Sequence, residues 1–191
     1  AVHLTVRGKG GHAALPHLAI DPVATAAKIV VELQTLVARE LNPLEPGVIS
    51  ITVVKAGEAF NVIPPVVELK GTIRSLSEDG MKFLQRRLTE VAVAVGQANR
   101  CDVAVEFPEV VYPPTVNDPA LWEMARDVAG DMLGTENVLN IDPVMGGEDF
   151  SFYAQQVPGL FAFLAVGDGD SGAPHPVHHP KFTLNEDALP I

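Results

Sequence analysis

Residues 2–7 alternate, with Val2, Leu4 and Val6 apolar and His3, Thr5 and Arg7 polar, a period of two that predicts a half-buried strand. A stretch with three glycines ends it. Asp21-Pro22 then supplies a helix N-cap followed by a proline at the first helical position, where its missing N–H costs nothing. The helix is expected to run to about Glu40, with Ala26, Ile29, Val30, Leu33, Leu36 and Val37 inward and Thr25, Lys28, Glu32, Thr35 and Arg39 on the wet face. Two further strands follow: Ile49, Ile51 and Val53 alternate with Ser50 and Thr52, and Val67, Leu69 and Ile73 alternate with Glu68, Lys70, Thr72 and Arg74. Residues 55–65 join them. Ser77 opens a second helix with Glu78 and Asp79 in its first turn, favourable to the helix dipole, and Leu84, Leu88, Val91 and Val95 form its apolar stripe. A fourth strand is expected from Cys101 to Phe107, Val103, Val105 and Phe107 alternating with Asp102 and Glu106. The order β-α-β-β-α-β predicts a ferredoxin-like sandwich over residues 1–110, an antiparallel sheet with both helices on one face and an edge strand open to a second copy.

Residues 108–115 hold three prolines and no amphipathic period, which suits a connection. Beyond it Asp118-Pro119 caps a helix expected to turn Leu121, Ala125, Val128 and Met132 inward, and residues 160–166 form an apolar run fit for a buried strand. So few strands cover their helices poorly. Residues 111–191 are therefore expected to be the C-terminal portion of a larger α/β layer. The fold class is α/β with an α+β first domain, and a chain that starts directly in a strand, without an initiating Met, and stops at Leu189-Pro190-Ile191 reads as a fragment.

Composition narrows the partners. Thirteen basic side chains against 24 acidic give a net charge of −11, which repels a polyanion and argues against nucleic acid. No run approaches the roughly eighteen apolar residues of a membrane helix. The single cysteine, Cys101, excludes an internal disulfide and a Cys-rich zinc site, and its apolar neighbours suit core packing.

Three constellations carry candidate chemistry. Gly8-Lys9-Gly10-Gly11-His12-Ala13-Ala14 presents a histidine from a backbone that glycines free for positive φ or close approach; the plain alternative is an exposed loop His. Phe60-Asn61-Val62-Ile63-Pro64 with Gly71-Thr72-Ile73-Arg74 offers an amide and a guanidinium that, near one end of the sheet, would clamp a carboxylate; the alternative is a turn Asn and a surface Arg. His175-Pro176-Val177-His178-His179-Pro180 suits a metal, but three or four ligands are needed, and the nearby Glu148 and Asp149 equally suit a helix start.

These motifs, with Ile20-Asp21-Pro22, Pro113-Pro114-Thr115-Val116-Asn117, Gly147-Glu148-Asp149-Phe150 and Asn185-Glu186-Asp187, resemble the metal-dependent amidohydrolases of the carboxypeptidase and aminoacylase superfamily, in particular the N-acyl-amino-acid branch of hippurate hydrolases and indole-acetyl-amino-acid hydrolases. The resemblance covers essentially the whole chain. It implies a ferredoxin-like lid and homodimerisation domain set into a catalytic domain that holds two divalent metals, zinc, manganese or cobalt, and hydrolyses an N-acyl amino acid with metal-activated water. It also implies that His12 reaches the neighbouring subunit's active site to stabilise the oxyanion, that Asn61 and Arg74 hold the substrate carboxylate, and that His178 binds metal, with His179 where relatives often carry a small residue. The remaining ligands and the general base are expected upstream of residue 1. The rival reading is a stand-alone ferredoxin-like module for dimerisation or small-molecule binding.

Overall fold

The computed structural model describes residues 1–109, 112–165, 175, 178–183 and 185–188. Strands β1 (Val2–Arg7), β3 (Gly47–Ala56), β5 (Val66–Ser75) and β6 (Asp102–Glu106) form one sheet, and β2 (Gly11–His12) with β4 (Val62–Ile63) forms a short ribbon. The sheet order is β3-β5-β1-β6, and β1 pairs antiparallel with both β5 and β6. That is the ferredoxin-like arrangement the alternation predicts.

Helices α1 (Pro22–Thr35) and α2 (Glu78–Ala98) cover the same face. One parity of each strand is buried against them: Val2, Leu4 and Val6 from β1, Val67, Leu69 and Ile73 from β5, and Ile49 from β3 meet Ala26, Ile29 and Leu33 of α1 and Leu84, Leu88 and Ala92 of α2. Both helices start as expected. The Asp21 carboxylate accepts from the N–H groups of Val23 and Ala24 at 2.8 and 3.2 Å, and the Ser77 hydroxyl accepts from Gly80 N–H at 3.0 Å. Past Thr35 the helix widens into a π-type turn, Leu36–Glu40, closed by Leu41 N–H to the Leu36 carbonyl at 2.9 Å. Arg87 of α2 ties that turn down, reaching the Glu40 carboxylate at 2.6 and 3.0 Å and also Glu90.

Two expected faces are corrected. Thr25 is buried rather than wet: its hydroxyl bonds to the Asp21 carbonyl at 2.9 Å and contacts the buried Cys101 thiol at 3.3 Å. Its spacing of four to Ile29 and of eight to Leu33 puts it on the apolar stripe. In β3 the alternation breaks at a bulge, because Ile51 lies opposite Gly71 but Val53 lies opposite the exposed Lys70 and Val54 opposite the buried Leu69. Thr52 is the extra residue. A Cβ on Gly71 would come within 2.2 Å of the Ser50 carbonyl oxygen, so only glycine fits beside the neighbouring strand there.

The second portion carries α3 (Pro119–Leu133), capped by Asp118 through Leu121 N–H at 2.9 Å, and the short α4 (Phe150–Ala154). Here two expectations fail. Val128 and Met132 of α3 are 53% and 65% exposed instead of inward. Residues 160–165 form no strand, since a strand is defined by its hydrogen-bonded neighbour and among the described residues it is the Asn117 side chain that clasps this segment, donating to the Phe161 carbonyl at 3.0 Å and accepting Phe161 N–H at 2.8 Å. Val166, Pro176 and Val177 of the expected motifs, the residue 110/111 boundary and Leu189–Ile191 lie outside the described residues. Among the described residues no helix is long and apolar enough to cross a membrane.

Candidate active site

The ribbon grows out of the two inner strands of the sheet. Beyond Arg7 the chain stays extended, Gly8 N–H bonding to the Pro65 carbonyl at 2.8 Å and Lys9 exchanging two 2.9 Å bonds with Ile20. His12 then pairs with Val62, Ala13 N–H donates to the Asn61 carbonyl at 3.0 Å, and Val62 N–H donates to the Ala59 carbonyl at 3.2 Å. His12 and Asn61 are thereby locked side by side through main-chain bonds alone. Both side chains remain exposed.

The glycines before His12 serve closeness rather than positive φ, which among the described glycines occurs only at Gly57 and Gly134. A Cβ on Gly8 would lie 2.3 Å from the Ile20 carbonyl oxygen. The His12 ring accepts Ala14 N–H on Nδ1 at 3.1 Å. In the neutral ring that bond assigns the proton to Nε2, making the outer nitrogen a hydrogen-bond donor.

Arg74 is elsewhere. It lies near the end of β5 remote from the ribbon, opposite Val48 of β3, half-buried, with its Nη1 donating to the Ile73 carbonyl at 3.0 Å. Eight residues of strand separate Arg74 from Val66, about 26 Å at roughly 3.3 Å per residue. The clamp expected from Asn61 and Arg74 near one end of the sheet is therefore not built within one copy, because β5 carries them to opposite ends. Alternation alone cannot reveal this; the direction of β5 relative to the ribbon does.

His178 sits in an exposed turn with φ of 72°, a left-handed conformation uncommon for a residue with a Cβ. Beside it the rings of His175 and His179 stack with centroids 3.8 Å apart, and His179 Nδ1 accepts Lys181 N–H at 3.1 Å. Glu148 accepts from the Ser151 backbone and hydroxyl through its carbonyl, and Asp149 precedes α4 without a side-chain cap. Among the described residues no three His, Cys, Asp or Glu side chains converge on a point where a metal could sit. His178 does not make a metal centre with these residues alone.

Comparison with known proteins fits the motifs. The family model described as peptidase family M20/M25/M40 matches residues 7–191. IAA-amino acid hydrolase ILR1-like 4 of Arabidopsis thaliana is 43% identical over 188 residues, which is 97% of this chain and 43% of the relative. N-acetyldiaminopimelate deacetylase of Leuconostoc citreum is 37% identical over 187 residues, covering 96% of this chain and 46% of the relative. Among solved structures, the Bacillus subtilis YXEP protein, a dinuclear metal binding peptidase, superposes with a TM-score of 0.75 at 28% identity, covering 99% of this chain and 45% of that one. The chain spans about half the length of the curated relatives it matches. With an extended ribbon carrying His12 and Asn61 on a ferredoxin-like sheet, and with the match running along almost all of its length, the chain belongs to peptidase family M20/M25/M40.

Proposed function

We propose that this chain is the lid domain (1–110) and C-terminal catalytic portion (111–191) of a homodimeric, metal-dependent amidohydrolase that cleaves N-acyl amino acids of the indole-acetyl or benzoyl type. The carrying observation is the division of the three lid residues between the two ends of β5, His12 and Asn61 at one and Arg74 at the other. An N-acyl amino acid is far shorter than the roughly 26 Å of β5 that run from Val66, at the ribbon end, to Arg74. Both ends serve one substrate only when two copies meet, the ribbon of one approaching the Arg74 end of the other. The relatives named above act, by their names, on an IAA-amino acid and on N-acetyldiaminopimelate; both are N-acyl amino acids.

In this reading the substrate's free carboxylate accepts from Arg74, a charged donor, and from the Asn61 amide. The His12 Nε2–H donates to the carbonyl oxygen as it gains charge in the tetrahedral transition state. His178 would contribute one imidazole toward divalent metal ions, which would supply activated water when bound, and further ligands would have to join it because no group among the described residues holds a metal by itself.

Complementation tests it. In the full-length enzyme His12→Ala is expected to lower kcat by about 10²–10³ with little change in KM, and His178→Ala to abolish turnover. Mixing the two variants under conditions of subunit exchange restores activity, because one site per mixed dimer has both an intact metal ligand and a partner's His12. A mixture that exchanges yet stays inactive rejects the shared site. Absence of turnover of every N-acyl amino acid by the metal-loaded wild type rejects the amidohydrolase.

A further inference from the structure

Phe60 is the most exposed large apolar side chain among the described residues, at 101% of its reference surface. It is not on a loose loop. The Ala59 carbonyl accepts Val62 N–H at 3.2 Å, which makes Phe60 and Asn61 the two central residues of a tight turn, and Ala13 N–H fixes that turn through the Asn61 carbonyl. A whole phenyl ring held in water on a braced turn wastes its apolar surface, so its use lies in what it meets.

The backbone pairing sets the order of residues along the ribbon. His12 faces Val62, Ala13 is bonded to Asn61, and Phe60 follows one residue farther along the turn, with the exposed Glu58 two residues beyond that. On the reading above, His12 marks the scissile carbonyl and Asn61 the carboxylate. Phe60 then falls beside the amino-acid end of the substrate, away from the acyl group. Glu58 adds a negative charge close by, which opposes a second carboxylate.

From this order we infer that Phe60 is a specificity-determining residue that packs on the amino-acid side chain of the substrate, favouring N-acyl amino acids with large apolar side chains, while Glu58 disfavours acidic ones. The inference rests on the proposed amidohydrolase function. It concerns selectivity among amino acids and leaves the acyl group aside.

The test is a set of kcat/KM ratios in the full-length enzyme with one acyl group held constant. Phe60→Ala is expected to reduce the N-acyl-leucine to N-acyl-glycine ratio by about tenfold or more, the scale on which apolar pockets discriminate single methylenes, and Phe60→Leu is expected to restore most of it. Glu58→Gln is expected to raise the N-acyl-aspartate to N-acyl-leucine ratio several-fold. Equal losses for leucine and glycine substrates in Phe60→Ala would mark the ring as structural and overturn the inference, as would an unchanged ratio. If wild type hydrolyses none of these substrates, the underlying function is wrong and the inference falls with it. If wild type turns them over with the Phe60 ratio unmoved, the inference alone fails.

Discussion

The two portions of the chain treat the same kind of residue in opposite ways. In residues 1–107 the apolar positions that face the helices close into a core, Leu4, Leu69 and Leu88 all reaching 0% exposure between the sheet and its two helices, while others on the ribbon and loops, Phe60 among them, stay exposed. In α3 and the segments around it, Val128, Met132, Leu139 and Phe163 stand more than half exposed. Composition does not separate these regions; the number of layers does. A sheet with two helices on one face completes a core, whereas α3 has no sheet beneath it among the described residues, and its stripe is covered only in part, Leu121 and Ala125 half-buried and Val128 and Met132 exposed.

Core truncations should expose that contrast most strongly. Leu88→Ala is expected to cost about 2–5 kcal/mol of unfolding free energy, as buried leucines do when a cavity is left behind, while Met132→Ala should stay within about 0.5 kcal/mol. Urea titrations of the isolated chain measure both. Comparable losses would show that α3 is packed in solution after all.

A second, smaller effect should sharpen the boundary between core and ribbon. Gly8→Ala forces a Cβ against the Ile20 carbonyl oxygen and is expected to cost about 1–3 kcal/mol, the range for overpacking. Its mark should be local: amide exchange at Ala13 and Val62 should quicken while Leu4 and Leu69 remain protected. Uniform loss of protection would mean that ribbon and sheet unfold together.

The smallest effect concerns the surface clasp between the π-type turn and α2. Bonding to Arg87 holds the Glu40 and Glu90 carboxyls below their ordinary value of 4.5, and Arg87 is raised in turn. Depressed carboxyl pKa values stabilise the fold above the unfolded value, and the contribution disappears as pH falls through the folded ones. Arg87→Ala should therefore lower Tm slightly at pH 7, with the difference from wild type shrinking below about pH 4.5 as the carboxylates take up protons. A difference that grows in acid would contradict the assignment. Exposure and salt screening keep the effect small.

What the sequence disclosed follows from the range of the interactions involved. Strand alternation in β1 and β5, the caps at Asp21 and Ser77 and the β-α-β-β-α-β order are set by neighbours within a few residues, and all appear in the fold. Thr25 differs because its hydroxyl is satisfied by the local Asp21 carbonyl, which lets its spacing on the stripe prevail over its polarity, and its buried neighbour Cys101 lies 76 residues away. The bulge at Thr52 and the separation of Asn61 from Arg74 depend on register and strand direction, which no single segment encodes. Residues 160–165 have the composition of a strand but no strand neighbour among the described residues.

The hydrogen bonds that hold the 59–62 turn are made by backbone atoms, and this bears on which substitutions the turn tolerates. Substitutions at positions 58, 59 and 60 can accumulate without disturbing the turn, provided the new residues tolerate its dihedral angles, whereas Gly8 is fixed by a steric conflict that no larger residue resolves. Side-chain changes at the tip therefore leave the backbone bonds that hold the turn beside His12 intact. On the proposed function, such a division would let substrate preference change by point mutation at the tip while the turn itself stays as it is.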